Sequence, residues 1–211
     1  MKLDSVNSAP DIAAEQARYD ALRAANYALV GTLLARPPAA ELLAELGQVE
    51  PEGAGDGRLD AAWRTLAEAA RKADAQAVAE EYQELFIGLG RGELVPYGSW
   101  YLTGFLMEAP LDALRDELVR LGFVRQEGIS EPEDHVGALC EVMSMLLADP
   151  ERAADYATQR AFYNTHMGPW LDRFWNDLDK AENAHFYRAV SQLGAAFTEL
   201  ETKYFSLPEQ G

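Results

Sequence analysis

Phe186, Val190, Leu193, Phe197, Leu200 and Tyr204 recur at alternating steps of four and three residues, and only an α-helix gathers such positions onto one face. A weaker stripe of the same kind runs near the start, where Tyr19, Leu22, Asn26, Leu29 and Leu33 follow a helix origin near Asp11. No stretch alternates with period two and β-branched enrichment, and no repeat of fixed period is visible. The fold class expected is therefore all-α: a single globular bundle of about nine helices.

Breaks between the helical stretches are marked by residue chemistry. Pro37-Pro38 ends the first helix, and a short one follows over Ala39 to Leu46. Gly47 to Gly57 reads as a solvent loop. Ala61 to Ala73 and Ala75 to Ile87 read as an antiparallel pair. Pro110 opens a helix to Leu121 that Gly122 caps. Ser130 and Glu133 have capping-box spacing ahead of Val136, Leu139, Cys140, Met143, Leu146 and Leu147, which predicts a helix beginning near Ser130 and closing at Asp149-Pro150. From Glu151 onward, Tyr156 to Leu178 supply an aromatic-rich helical stretch, interrupted around Gly168-Pro169.

One segment resists this scheme. Gly88 to Gly104 contains Gly88, Gly90, Gly92, Pro96, Gly98 and Gly104, yet also Leu94, Val95, Tyr97, Trp100, Tyr101 and Leu102. Ordinary loops are not so aromatic. It is read as a hinge over residues 88–104 between an N-terminal lobe over about 11–87 and a C-terminal lobe over about 110–205. Lobes could exchange through it between chains, so a monomer and a domain-swapped dimer both stay open.

With 18 Lys plus Arg against 35 Asp plus Glu, the formal charge is −17. Such a surface repels phosphate backbones and anionic headgroups, which argues against nucleic acid and membrane surfaces as partners. Cys140 is the single cysteine, so neither an internal disulfide nor a cysteine-built metal site is expected. No apolar run reaches the length of a membrane span, and the beginning of the chain does not read as a secretory leader; a cytoplasmic location is expected.

Enzymatic constellations are missing. His135, His166 and His185 lie far apart and outside any metal-binding frame. Tyr97-Gly98-Ser99-Trp100 lacks the second glycine of a nucleophile elbow. Gly88-Leu89-Gly90-Arg91-Gly92 has no following Lys-Ser or Lys-Thr and comes after a helix, so it matches no phosphate-loop fingerprint. No catalytic residue and no bound metal are expected. Glu131-Pro132-Glu133-Asp134-His135 is the most suggestive cluster, placing three carboxylates and an imidazole at one helix start. His135 reads there either as a satisfied core residue or as the rim of a pocket.

Three blocks together resemble the TorD/DmsD family of redox-enzyme maturation chaperones, a family sometimes grouped with the nitrate reductase chaperone NarJ. The first block is Tyr82-x-x-Leu85-Phe86 with Gly88-x-Gly90 and Pro96-Tyr97-x-Ser99-x-Tyr101. The second is Glu131-Pro132-x-Asp134-His135, which sets the TorD/DmsD branch apart from NarJ. The third is Phe162 with His166, Pro169, Trp170 and Phe174. Tyr82 departs mildly from the tryptophan common in relatives.

The resemblance, which covers about residues 15–205, implies an all-helical fold without catalysis. It also implies a groove for the twin-arginine leader, or the apo form, of a molybdopterin oxidoreductase catalytic subunit. By position, Tyr82, Leu85, Phe86, Pro96, Tyr97, Ser99, Tyr101, Asp134 and His135 would line or support that groove, and Trp100 and Glu131 adjoin them. An apolar wall suits the leader's hydrophobic segment, and carboxylates such as Asp134 suit its arginines. No resident cofactor is implied. The alternative is a GTP- or molybdenum-cofactor-handling accessory protein of the same pathway, with a weak GTP contact or a transient contact to the molybdenum cofactor.

Overall fold

The computed structural model describes residues 12–50, 57–88, 92–125, 128, 131–148 and 155–208. Ser130, Gly90 and Asp149-Pro150, to which the sequence assigned a cap, a motif glycine and a helix stop, lie outside the described residues. Ten α-helices are present among those described: α1 (Ile12–Ala35), α2 (Ala40–Gly47), α3 (Arg58–Lys72), α4 (Ala75–Tyr82), α5 (Gly98–Thr103), α6 (Ala109–Arg120), α7 (Val136–Ala148), α8 (Tyr156–His166), α9 (Leu171–Lys180) and α10 (Phe186–Ser206). One more than expected appears because the supposed hinge contains α5.

α10 is the central element, packing on α9, α3, α4 and α1. Phe186, Val190, Leu193 and Phe197 are buried as their spacing predicts, but Leu200 and Tyr204 are half-buried while Glu201 and Phe205 are buried in their place. A straight helix falls behind a strict 3.5-residue pattern by ~20° per heptad, so the buried face drifts to positions one residue later. Glu201 enters the core only because Arg23 meets it there: Nε and Nη2 reach its two carboxylate oxygens at 2.7 Å each. Tyr27 Oη adds a third donor at 2.8 Å, and Arg23 Nη1 also binds Asp20 and Gln159.

α1 lies along α7. At their crossing a Cβ on Gly31 would come within 3.1 Å of the Gly137 carbonyl oxygen, and a Cβ on Gly137 equally close to that of Gly31. The regions before and after the Gly88–Gly104 segment therefore share one core through the α1–α7 and α3–α10 contacts.

α4 runs on into one wide π-helical turn, Gln83–Ile87, closed by Gly88 N–H donating to Gln83 O at 2.7 Å. Gly88 then takes φ of +61°, where a side chain is unfavourable. The chain doubles back so that Glu93 and Leu94 N–H bond the carbonyls of Glu84 and Leu85, at 3.2 and 2.8 Å. Gly92 permits that return, since a Cβ there would sit 2.5 Å from the Phe86 carbonyl carbon. The last turn of a helix leaves carbonyls unpaired, and here the returning segment satisfies two of them.

Candidate functional site

The return delivers Pro96 to Ser99 against the residues preceding α7. Gly98 N–H donates to Asp134 O and Val136 N–H to Pro96 O, both at 2.9 Å, so Tyr97 and His135 form an isolated antiparallel bridge. These backbone bonds explain why α7 starts at Val136 and not near Ser130: Glu131 to Asp134 are held in turns, with His135 N–H on Pro132 O at 3.2 Å.

His135 is the residue that caps α7. Its carbonyl accepts from Leu139 N–H at 3.0 Å, and its ring Nδ1 accepts from Gly137 N–H at 3.0 Å. The imidazole thus takes the part usually played by a Ser or Asp oxygen. A nitrogen that accepts carries no proton, so the neutral ring holds its proton on Nε2. Burial pushes the His135 pKa below its ordinary value against the opposing pull of Glu131 and Asp134. Its ring meets Tyr97 edge-on at 5.2 Å.

Along a bridged segment successive side chains alternate between faces, and the bridge separates two hollows accordingly. On the Tyr97–His135 face lies a groove of about 580 Å³ floored by α1 and α7 and walled by the end of α4. Tyr82, Phe86, Pro96 and Tyr97 contribute its apolar and aromatic surface, and Glu131 and Glu141 its carboxylates. Tyr82 is fixed by its hydroxyl on Leu34 O at 3.1 Å and by the Phe86 ring at 5.0 Å. Tyr97 Oη bonds Glu131. Burial first, and then that carboxylate, raise the Tyr97 pKa far above its usual value.

On the other face is a pit of about 70 Å³ lined by Ser99, Asp134 and His166 among others. Asp134 Oδ2 accepts from Ser99 N–H at 2.7 Å, capping α5 from 35 residues away. Asp134 Oδ1 is buried without a hydrogen-bond partner among the described residues.

Of the residues singled out from the sequence, Tyr82, Phe86, Pro96, Tyr97, Glu131 and His135 come together in the groove. The other five do not line it. Leu85 is wholly buried in the core, and Ser99 and Asp134 belong to the pit. Tyr101 stacks on Trp170 at 5.4 Å and bonds Asp177 at 3.1 Å, while Trp100 is half-buried outside the groove. Sequence reasoning missed the contribution of α1, chiefly Ala28, Gly31 and Thr32, and that of Glu141 and Met145. Gly31 inside an apolar helix was the available signal, because a mid-helix glycine marks close approach. A larger hollow of about 770 Å³, between α3, α9 and α10, contains none of the predicted residues.

Among the described residues no group of three or more His, Cys, Asp or Glu is placed to hold a metal. Cys140 is buried, and burial pushes its thiol up to about 12. No helix among them is long and apolar enough to cross a membrane.

The all-helical molecule thus carries a groove lined by aromatic side chains, by Glu131 and Glu141, and by Arg36. The chain belongs to the nitrate reductase delta subunit family, whose model matches residues 53–176. It is 27% identical to the chaperone protein TorD of Aliivibrio salmonicida over 67% of this chain and 70% of that protein. It is 34% identical to the "Probable Tat proofreading chaperone DmsD" of Haemophilus influenzae over 56% of this chain and 57% of that one. With TorD of Aliivibrio fischeri, 25% identical, the match spans 60% of this chain and 63% of the relative, so several relatives are matched over less than two thirds of their length.

These relatives carry chaperone names, a non-enzymatic role. The fold agrees: the crystal structure of a candidate redox enzyme maturation protein from Archaeoglobus fulgidus superposes with a TM-score of 0.54 at 19% identity, over 84% of this chain and 94% of the other.

Proposed function

We propose that this chain is a system-specific chaperone of the cytoplasm that binds the twin-arginine leader of a molybdopterin oxidoreductase catalytic subunit. It keeps the apo form from export until the cofactor is inserted. The names of the TorD and DmsD relatives support the class of client. The single observation that supports the groove as the place of binding is its composition: Tyr82, Phe86, Pro96 and Tyr97 stand beside Glu131 and Glu141 in one hollow of about 580 Å³.

Such a surface matches an extended segment with arginines at one end and apolar residues after them. Charge-assisted pairing with carboxylates would fix the arginines, and apolar burial would hold the rest. The chain's charge of −17 favours approach of a cationic segment in either case.

Titration calorimetry with a synthetic twin-arginine leader tests this. Binding is expected to weaken as salt rises, and to weaken roughly tenfold in Glu131→Gln, the loss of one charge-assisted contact. A leader with both arginines replaced by glutamine should bind far more weakly. Equal binding of the two leaders, or no binding to any leader or apo reductase, would overturn the reading.

A further inference from the structure

The groove on the Tyr97–His135 face differs in charge from one end to the other. Arg36, directly after the end of α1 at Ala35, is the only lysine or arginine that lines it among the described residues. It is exposed, and no described residue is hydrogen-bonded or ion-paired to it. His135 adds no charge while its Nδ1 accepts from Gly137 N–H.

The packing of the two floor helices gives the distance from Arg36 to the carboxylate of Glu141. A Cβ on Gly137 would meet Gly31 O at 3.1 Å and Ala35 N at 3.3 Å, and Ser144 Oγ donates to Ala24 O at 3.0 Å. α1 and α7 are therefore antiparallel, with Gly137 level with the middle of residues 31–35 and Ser144 close to Ala24. Glu141 then stands level with Ala28 and Leu29. From there to Arg36 is about two helical turns, roughly 11 Å along the groove.

The walls differ in the same sense. Tyr82 Oη donates to Leu34 O at 3.1 Å and Tyr82 packs on Phe86, so the aromatic wall rises at the Arg36 end. Ser144 and Met145 lie beyond Glu141 at the other.

We infer, resting on the reading of the groove as the seat of the leader, that Arg36 is its specificity-determining residue: the guanidinium takes a carboxylate side chain of the bound segment and so fixes the direction in which that segment lies. Arginines lie at the Met145 end and apolar residues along Tyr82 and Phe86. An extended chain rises about 3.3 Å per residue, which puts the carboxylate roughly three or four residues after an arginine held by Glu141. A cation in that place meets Arg36 as a like charge. Leaders that share the arginine pair are thereby told apart, by an attractive and a repulsive contact at one residue.

The test is titration calorimetry of the full-length protein, at constant ionic strength, with four synthetic leaders that differ in one residue. Three carry glutamate, glutamine or lysine four residues after the arginine pair, and the fourth carries glutamate four residues before it. Relative to glutamine, glutamate after the pair should tighten binding roughly tenfold and lysine should weaken it roughly tenfold, the worth of one charged contact. Glutamate before the pair should weaken binding, because a chain of charge −17 repels an anion that meets no cation.

Arg36→Gln should erase the gain from glutamate, and Arg36→Glu should make lysine the preferred residue. Both variants are expected to fold, since the side chain they replace is exposed and bonds no described residue. Equal affinity for the glutamate and glutamine leaders, a gain that persists in Arg36→Gln, or the same gain from glutamate on either side of the pair would overturn the role of Arg36 and leave the groove as the leader's seat. If none of the four leaders binds, both readings fall.

Discussion

The molecule buries carboxylates in two contrasting ways. Between α1 and α10 Glu201 receives Arg23 on both oxygens and Tyr27 on one, and the guanidinium lies 4.2 Å from the centre of the Tyr204 ring. At the α5–α7 junction Asp134 spends one oxygen on Ser99 N–H and leaves the other without a partner among the described residues. A saturated cluster has nothing left to offer a ligand, so its value is structural. An unsaturated one keeps part of its interaction energy in reserve, as expected beside a binding surface.

Breaking the saturated cluster should produce the largest effect. Glu201→Ala strands a guanidinium that is 2% exposed, and the cost expected is about 3–5 kcal/mol of unfolding free energy in urea. The double substitution Arg23→Met with Glu201→Met should recover most of that loss, because packing can replace a buried pair. A loss below about 1 kcal/mol in the single variant would show that the cluster is not what holds α1 to α10.

Glu81 comes next. Its carboxylate accepts from the backbone N–H groups of His185, Phe186 and Tyr187 at 2.7–3.0 Å, capping α10 from outside the helix. Glu81→Ala is expected to cost about 2–3 kcal/mol, measured in the same way. Hydrogen exchange should show the first turn of α10 opening before the rest; uniform protection would contradict the role. At Asp134 the two substitutions should diverge. Asp134→Ala loses the α5 cap for about 1–2 kcal/mol, whereas Asp134→Asn keeps it and stays within about 1 kcal/mol of the parent. Equal losses would mean that the Ser99 N–H bond to this side chain is not what stabilises α5.

These caps mark where a reading of the sequence stops. Helix identities follow from periodicity, which is local: α10, α7 and α6 lie where their apolar spacing places them, and Gly122 ends α6 with φ of +78°. The α5 helix was hidden among glycines because its cap, Asp134, is remote in sequence, as Glu81 is remote from α10. The start of α7 was misplaced by several residues because Ser130 and Glu133 have the right spacing, while the Pro96–Gly98 backbone claims the residues on either side of His135. In the groove, aromatic and acidic side chains in a segment too apolar for a loop were visible. The α1 wall was not, since Ala28 and Gly31 contribute by being small, and smallness in a helix reads first as helix propensity.

The smallest expected effect is also the one that ties the two faces of the bridge together. His135 caps α7 only while Nδ1 is unprotonated, and burial holds its folded pKa below the unfolded value of about 6.5. Between those two values the unfolded chain binds more protons than the native one, so stability is complete above about pH 6.5 and falls as pH drops through the window toward the folded pKa. The slope from one such group cannot exceed about 1.4 kcal/mol per pH unit.

His166 is shifted in the same direction, so the measurement is a difference: urea unfolding of the parent and of His135→Asn at pH 7.5, 6.5 and 5.5. Asparagine can cap α7 at any of these values, and its stability should decline less on acidification than that of the parent. Equal slopes would show that the imidazole is not the cap. Protonation would also put a positive charge beside Glu131 in the groove, so the parent, but not His135→Asn, should lose affinity for a cationic leader over the same interval.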